Sequence, residues 1–204
     1  MKIFLTDISN MDDNIMNKGL ELVTDYRRNK VERCKFREDK ERSLAAGLLL
    51  NYATKMYAEY MKMQIKYEHV IDDVKDGIEC NVDNNSKNNN GCDGKYNKEN
   101  NIEYKTDGNI IVNVRLDELV ENYDASYDYD IEYVANGKPV YRNSDIYFNL
   151  SHAGNYVVCA VSDKAVGVDI ERQRKNVIRV AKRFFTQAEC DWIGNDSLKF
   201  SRIW

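Results

Sequence analysis

Proline occurs once in the 204 residues, at Pro139, and histidine twice, at His69 and His152. No stretch approaches the roughly 20 consecutive apolar residues of a membrane span, so no transmembrane helix and no membrane partner is expected. The opening MKIFLTDISNMDDN has only a short apolar run and turns acidic at once, unlike a secretory signal peptide. Positive charge is not in excess: 30 Lys and Arg stand against 34 Asp and Glu, a net charge of −4. That balance gives no general electrostatic reason to bind nucleic acid. Five cysteines (Cys34, Cys80, Cys92, Cys159, Cys190) are odd in number and lack metal-ligand spacing. They fit a reducing cytoplasm better than a disulfide framework, and Cys159 reads as a small hydrophobe within a strand.

What is present is concentrated in Tyr147 to Glu171. Tyr156 to Ser162 is rich in β-formers and Val166 to Glu171 alternates, with Asp163 and Lys164 between them, which predicts a β-hairpin. In the second run Val166, Val168 and Ile170 share one face, and Gly167, Asp169 and Glu171 the other. Two carboxylates side by side repel unless a cation lies between them. Paired hard oxygens suit Mg²⁺, which keeps waters and shares its shell with substrate phosphates. Two solvated acids on an edge strand would show the same pattern. Just upstream, Asn149-Leu150-Ser151-His152 ends a strand before the turn at Ala153-Gly154-Asn155, placing a hydroxyl and an imidazole where a phosphate or ribose oxygen could bind.

Elsewhere, Lys2 to Thr6 predicts a first strand and Ile15 to Cys34 a helical pattern. Lys30 and Arg33, three apart, share a basic helical face that by itself could simply be solvated. Glu38 to Met61 predicts a long amphipathic helix, with Leu44, Leu48, Tyr52 and Met56 at fourfold spacing and Arg42-Ser43 near its start. Residues 72–130 read as a low-complexity, disordered insertion, most plainly at Asn84 to Gly91, with some apolar character returning from Ile110 to Leu119, where one strand and a helical turn could form. Ile131 to Ala135 predicts a strand, and Asn136-Gly137-Lys138-Pro139 a turn. Val177 to Phe185 predicts a helix, and Thr186-x-x-Glu189 a capping box for the next one.

The ordered set F-N-L-S-H, G-V-D-I-E and K-R-F-F-x-x-x-E resembles the 4′-phosphopantetheinyl transferases of the surfactin-synthetase-activating type. The resemblance implies an α+β fold, a pseudo-twofold pair of similar subdomains with the site between them. Residues 1–71 with 131–165 would form the first subdomain and 166–204 the start of the second. It also implies transfer of 4′-phosphopantetheine from coenzyme A to a serine of an acyl or peptidyl carrier protein, with release of 3′,5′-ADP, by a monomeric cytoplasmic chain. Asp169 and Glu171 would hold Mg²⁺, and Glu189 would assist deprotonation of the serine. Lys30 and Arg33 would grip coenzyme phosphates. Arg42 and Ser43 would lie close to the coenzyme, Lys138 and Pro139 beside its adenine, and Ser151 and His152 at its ribose 3′-phosphate. Trp204 matches the tryptophan that opens the family's W-x-x-K-E-[AS]-x-x-K motif, so a C-terminally truncated second subdomain and a weakened enzyme are expected. Two other readings use the same residues: a non-catalytic remnant that binds coenzyme A or a carrier protein, and an unrelated Mg²⁺-dependent phosphohydrolase.

Overall fold

The structure, a computed structural model, describes residues 1–75, 103–106, 109–172 and 177–203. The low-complexity run Asn84 to Gly91 lies outside the described residues. A five-stranded sheet has the order β2 (Glu103–Thr106), β3 (Asn109–Asn113), β1 (Lys2–Asp7), β7 (Tyr156–Ser162), β6 (Tyr147–Ala153). β1 runs parallel to β3, and the other pairs are antiparallel. Because opposite residues share a face, the register gathers Phe4 with Cys159, Thr6 with Val157, and Phe148 with Val161 on one side.

That side is covered by the long helix α3 (Arg37–Lys75). Its Leu44, Leu48, Leu49 and Ala53 are fully buried and join Phe4, Phe148, Val157, Cys159 and Val161 in one core. Each leucine, valine and phenylalanine among them contributes about 1.5–3 kcal/mol by leaving water. The helical pattern over Ile15 to Cys34 is two helices rather than one, α1 (Asp13–Leu22) and α2 (Asp25–Glu32). Val23 breaks away with extended backbone, and Thr24 caps α2 by accepting the Arg27 N–H at 3.3 Å. Helix α3 starts within a residue of its expected start but continues beyond Met61 to Lys75.

The part of the expected insertion nearest residue 130 belongs to the main core. β3 pairs with β1, and helix α4 (Leu116–Glu121) buries Leu116 and Leu119 beside Val114. Asn51 of α3 then pins the following turn: its amide donates to Asp124 O at 2.9 Å and Asp128 Oδ1 at 2.8 Å. The strand and helical turn suggested by Ile110 to Leu119 are thus present, but composition alone did not show that they join the main core, because their partners lie far away in sequence.

A separate hairpin, β4 (Ile131–Tyr133) and β5 (Pro139–Tyr141), is tied down by the Tyr141 hydroxyl on Thr54 Oγ1 at 2.6 Å and the Tyr141 ring on Phe148. Helices α5 (Ile178–Phe184), α6 (Gln187–Ile193) and α7 (Ser197–Ile203) enclose a second small core of Val177, Ala181, Cys190, Ile193 and Phe200. The α+β class expected from sequence is the one observed.

One sequence expectation is corrected. The hairpin partner of β7 is β6, not Val166–Glu171; a two-residue turn at Gly154-Asn155 joins them. Gly154 has φ +59, which a glycine adopts without strain. Val166–Glu171 is extended but has no ladder partner among the described residues.

Candidate functional site

The segment Val166–Glu171 nevertheless keeps the predicted alternation: Val166 is buried, Val168 and Ile170 half-buried, and Gly167, Asp169 and Glu171 exposed. Side chains of neighbouring elements hold it in place. The Val168 N–H donates to Asn149 Oδ1 at 2.8 Å and the Ile170 N–H to Ser151 Oγ at 3.3 Å. Lys138 Nζ donates to Val166 O at 2.8 Å. The Ser151 hydroxyl in turn donates to Asp169 Oδ1 at 2.6 Å. Ser151, expected at a coenzyme phosphate, is thus engaged with the acidic segment, and the two strongest motifs meet at one hydrogen bond.

The turn after β6 is braced from both sides. Arg42 of α3 donates to Gly154 O at 3.2 Å and is itself paired with Asp39 at 2.6 Å. From the other side Arg172 lies so close that a Cβ on Gly154 would come within 3.2 Å of it. A cavity of about 230 Å³ opens here, lined by Ser9, Gly154, Asn155, Ile170, Glu171 and Arg172. His152 is exposed on β6, two residues before this turn. Lys138 and Pro139 stand at the start of β5, just past Gly137 at φ +77.

Of the basic residues singled out on α2, Lys30 and Arg33 are exposed. Arg27, which sequence reasoning passed over, is only 8% exposed. Its guanidinium makes one hydrogen bond among the described residues, to Ser43 O at 3.4 Å, although it carries five donors. Burial holds it below the usual arginine range. The Ser43 hydroxyl beside it is buried with no partner among the described residues. Arg27 also lines a second cavity of about 230 Å³, with Tyr26, Asn51, Tyr123, Asp128 and Tyr141. A signal existed: Val23, Arg27 and Val31 recur every fourth residue, and both valines are buried.

Glu189 lies in α6, where its Oε2 accepts the Thr186 N–H at 2.7 Å and the Thr186 hydroxyl at 2.8 Å. The capping box is therefore formed, and these bonds hold the Glu189 carboxyl below the usual range. No group of three His, Cys, Asp or Glu side chains placed to hold a metal occurs among the described residues. Asp169 and Glu171 thus offer a two-carboxylate set.

No family model matches the chain. Curated relatives do match over part of it. A 4′-phosphopantetheinyl transferase of Bacillus subtilis is 46% identical over 54 residues, 26% of this chain and 24% of the relative. The 4′-phosphopantetheinyl transferase gsp of Aneurinibacillus migulanus is 46% identical over 57 residues, 28% of this chain and 24% of its own. The chain is similar to 4′-phosphopantetheinyl transferases. A third, psf-1 of Bacillus pumilus, is 49% identical over 55 residues, 26% of this chain and 24% of the relative. The matches span about a quarter of the length of these relatives.

Proposed function

We propose that the chain transfers 4′-phosphopantetheine from coenzyme A to a serine hydroxyl of an acyl or peptidyl carrier protein, releasing 3′,5′-ADP. The observation that carries this reading is the Ser151–Asp169 hydrogen bond, which joins the F-N-L-S-H and G-V-D-I-E motifs in one place. The serine oxygen forms a bond to the phosphorus that bears the pantetheine arm. The bond from that phosphorus to the bridging oxygen breaks, and the electron pair leaves with 3′,5′-ADP.

The donor set fits Mg²⁺: two exposed carboxylates leave most of an octahedral shell to waters and substrate phosphates. Asp169 and Glu171 would hold it, and when bound it would neutralise charge on the pyrophosphate. Arg27 and the unpartnered Ser43 hydroxyl supply anion-recognising donors, with Lys30 and Arg33 on the approach. Arg42 steadies the Gly154 turn beside His152, and Lys138 and Pro139 place the β4–β5 turn against the acidic segment. His152, exposed on β6, would bind the 3′-phosphate of the ribose. Glu189 accepts the serine proton on Oε1 while Oε2 caps α6.

The test is mass spectrometry of an apo carrier protein incubated with coenzyme A, Mg²⁺ and the 204-residue chain. The expected result is a gain of one phosphopantetheine, reduced ~10²–10³-fold in rate by Asp169→Ala or Glu171→Ala. Unchanged labelling by both variants would reject the metal assignment, and coenzyme A binding without labelling would favour a non-catalytic binder. Glu189→Gln keeps an acceptor for Thr186 but cannot take a proton, so a fall of ~10²–10⁴-fold with stability retained would identify the base.

A further inference from the structure

Two side chains of β6 anchor the acidic segment at points of identical spacing, and Lys138 holds Val166 O from the β4–β5 turn. Asn149 and Ser151 lie one strand repeat apart on β6, opposite Ala160 and Val158 of β7. They therefore project from the sheet face turned away from α3. Val168 and Ile170, also two residues apart, give their backbone N–H groups to those two side chains. The segment thus runs parallel to β6, with a constant offset of 19 residues at both anchors. The Ser151 hydroxyl spends its single proton on Asp169 and receives the Ile170 N–H over the longer distance of 3.3 Å. The shorter anchor, at 2.8 Å, is Asn149.

In an ordinary strand a ladder of backbone hydrogen bonds fixes which side chains face out. A slip of one residue exchanges the faces completely. Here no such ladder exists among the described residues, so the task falls to the anchors. We infer that Asn149 is a positioning residue that sets the register of Val166–Glu171 and thereby directs Asp169 and Glu171 outward together. Its amide oxygen is the acceptor that selects Val168 N–H over the neighbouring amides. With Val168 fixed, Val166 and Ile170 stay turned inward and the two carboxylates share the exposed side. Ser151 then orients Asp169 within that register. Only the metal-binding consequence rests on the proposed function; the register itself does not.

The experiment uses the full chain and two variants, Asn149→Ala and Asn149→Asp, the second retaining an acceptor oxygen. Native-state hydrogen exchange reads the Val168 amide, and electron paramagnetic resonance of free Mn²⁺ reads the carboxylate pair without any turnover. Asn149→Ala is expected to speed Val168 exchange about tenfold, the size of one lost hydrogen bond, and to weaken Mn²⁺ binding at temperatures where the α3 and β7 amides remain protected. Asn149→Asp is expected to keep Val168 protection near wild type and Mn²⁺ binding at or above it. Unchanged Val168 exchange in Asn149→Ala would overturn the inference, as would loss of protection in both variants alike. If the wild-type chain binds no Mn²⁺ while Val168 exchange responds as expected, the metal reading of Asp169 and Glu171 fails and the register assignment stands.

Discussion

At the scale of single residues, Glu189 carries two roles that can be separated. Its carboxylate accepts two hydrogen bonds from Thr186, which favour the ionised form and depress its pKa. A carboxyl with a depressed folded pKa stabilises the fold above its unfolded value, near 4.5. In acid the unfolded chain binds the proton first, so this contribution falls away as pH drops through 4.5 toward the lower folded value. Amide exchange in α6, followed from pH 6 to about 3, should therefore show protection lost in wild type. In Glu189→Gln the α6 protection should vary less with pH. Parallel profiles for the two proteins would mean that another acid governs the effect. The capping box was legible in the sequence because both partners lie within one turn. Arg27 was passed over although it stands midway along the Val23–Val31 stripe, because a charge there reads as a break in an apolar face.

At the scale of elements, the packing of α2 on α3 turns on one missing side chain. A Cβ at Gly47 would lie 2.7 Å from Arg27 Nε and 2.9 Å from its Cγ and Cδ. Gly47→Ala ought to stabilise a helix by up to about 1 kcal/mol through propensity alone. The prediction here is the opposite sign: a lower Tm by thermal denaturation, and weaker coenzyme A binding by calorimetry. A variant as stable as wild type, with unchanged affinity, would show that Arg27 can move aside without consequence. The same scale shows where sequence reading held and where it stopped. β1, the fourfold stripe of α3 and the helix before Thr186 depend on local periodicity and were expected nearly where they occur. β3 and α4 fall where Ile110 to Leu119 suggested a strand and a helical turn, but their place in the main core comes from β1 and α3, far away in sequence. The extended 166–171 segment showed the right alternation but the wrong partner, for alternation says which face is buried and not what covers it.

At the scale of the whole molecule, the apolar side chains of the described residues form two unequal cores. The larger draws on β1, α3, α4, β6 and β7, whereas the smaller rests on five buried residues of 177–200. Stability need not be uniform across such a structure. Amides of α5–α7 are predicted to exchange through openings of lower free energy than those of α3 and β7. Ile193→Ala, which truncates a side chain 1% exposed, should accelerate exchange in α5–α7 selectively. Its cost is about 2–5 kcal/mol. Equal acceleration throughout β7 would show that the two cores open as one.

The pairing of β1 with both β3 and β7 has a consequence for synthesis. Ile3 finds its partners at Ile111 and Ala160. β1 thus leaves the ribosome well before β7, the last strand of the described sheet, by roughly ten to thirty seconds at about 5–20 residues per second. During that interval α1, α2 and α3 can form from local contacts alone, while the β1 edge that β7 takes stays unpaired and the apolar face of β1 only partly covered. A holding chaperone is accordingly predicted to bind the nascent chain until residue 160 emerges, and fast translation should raise its soluble yield.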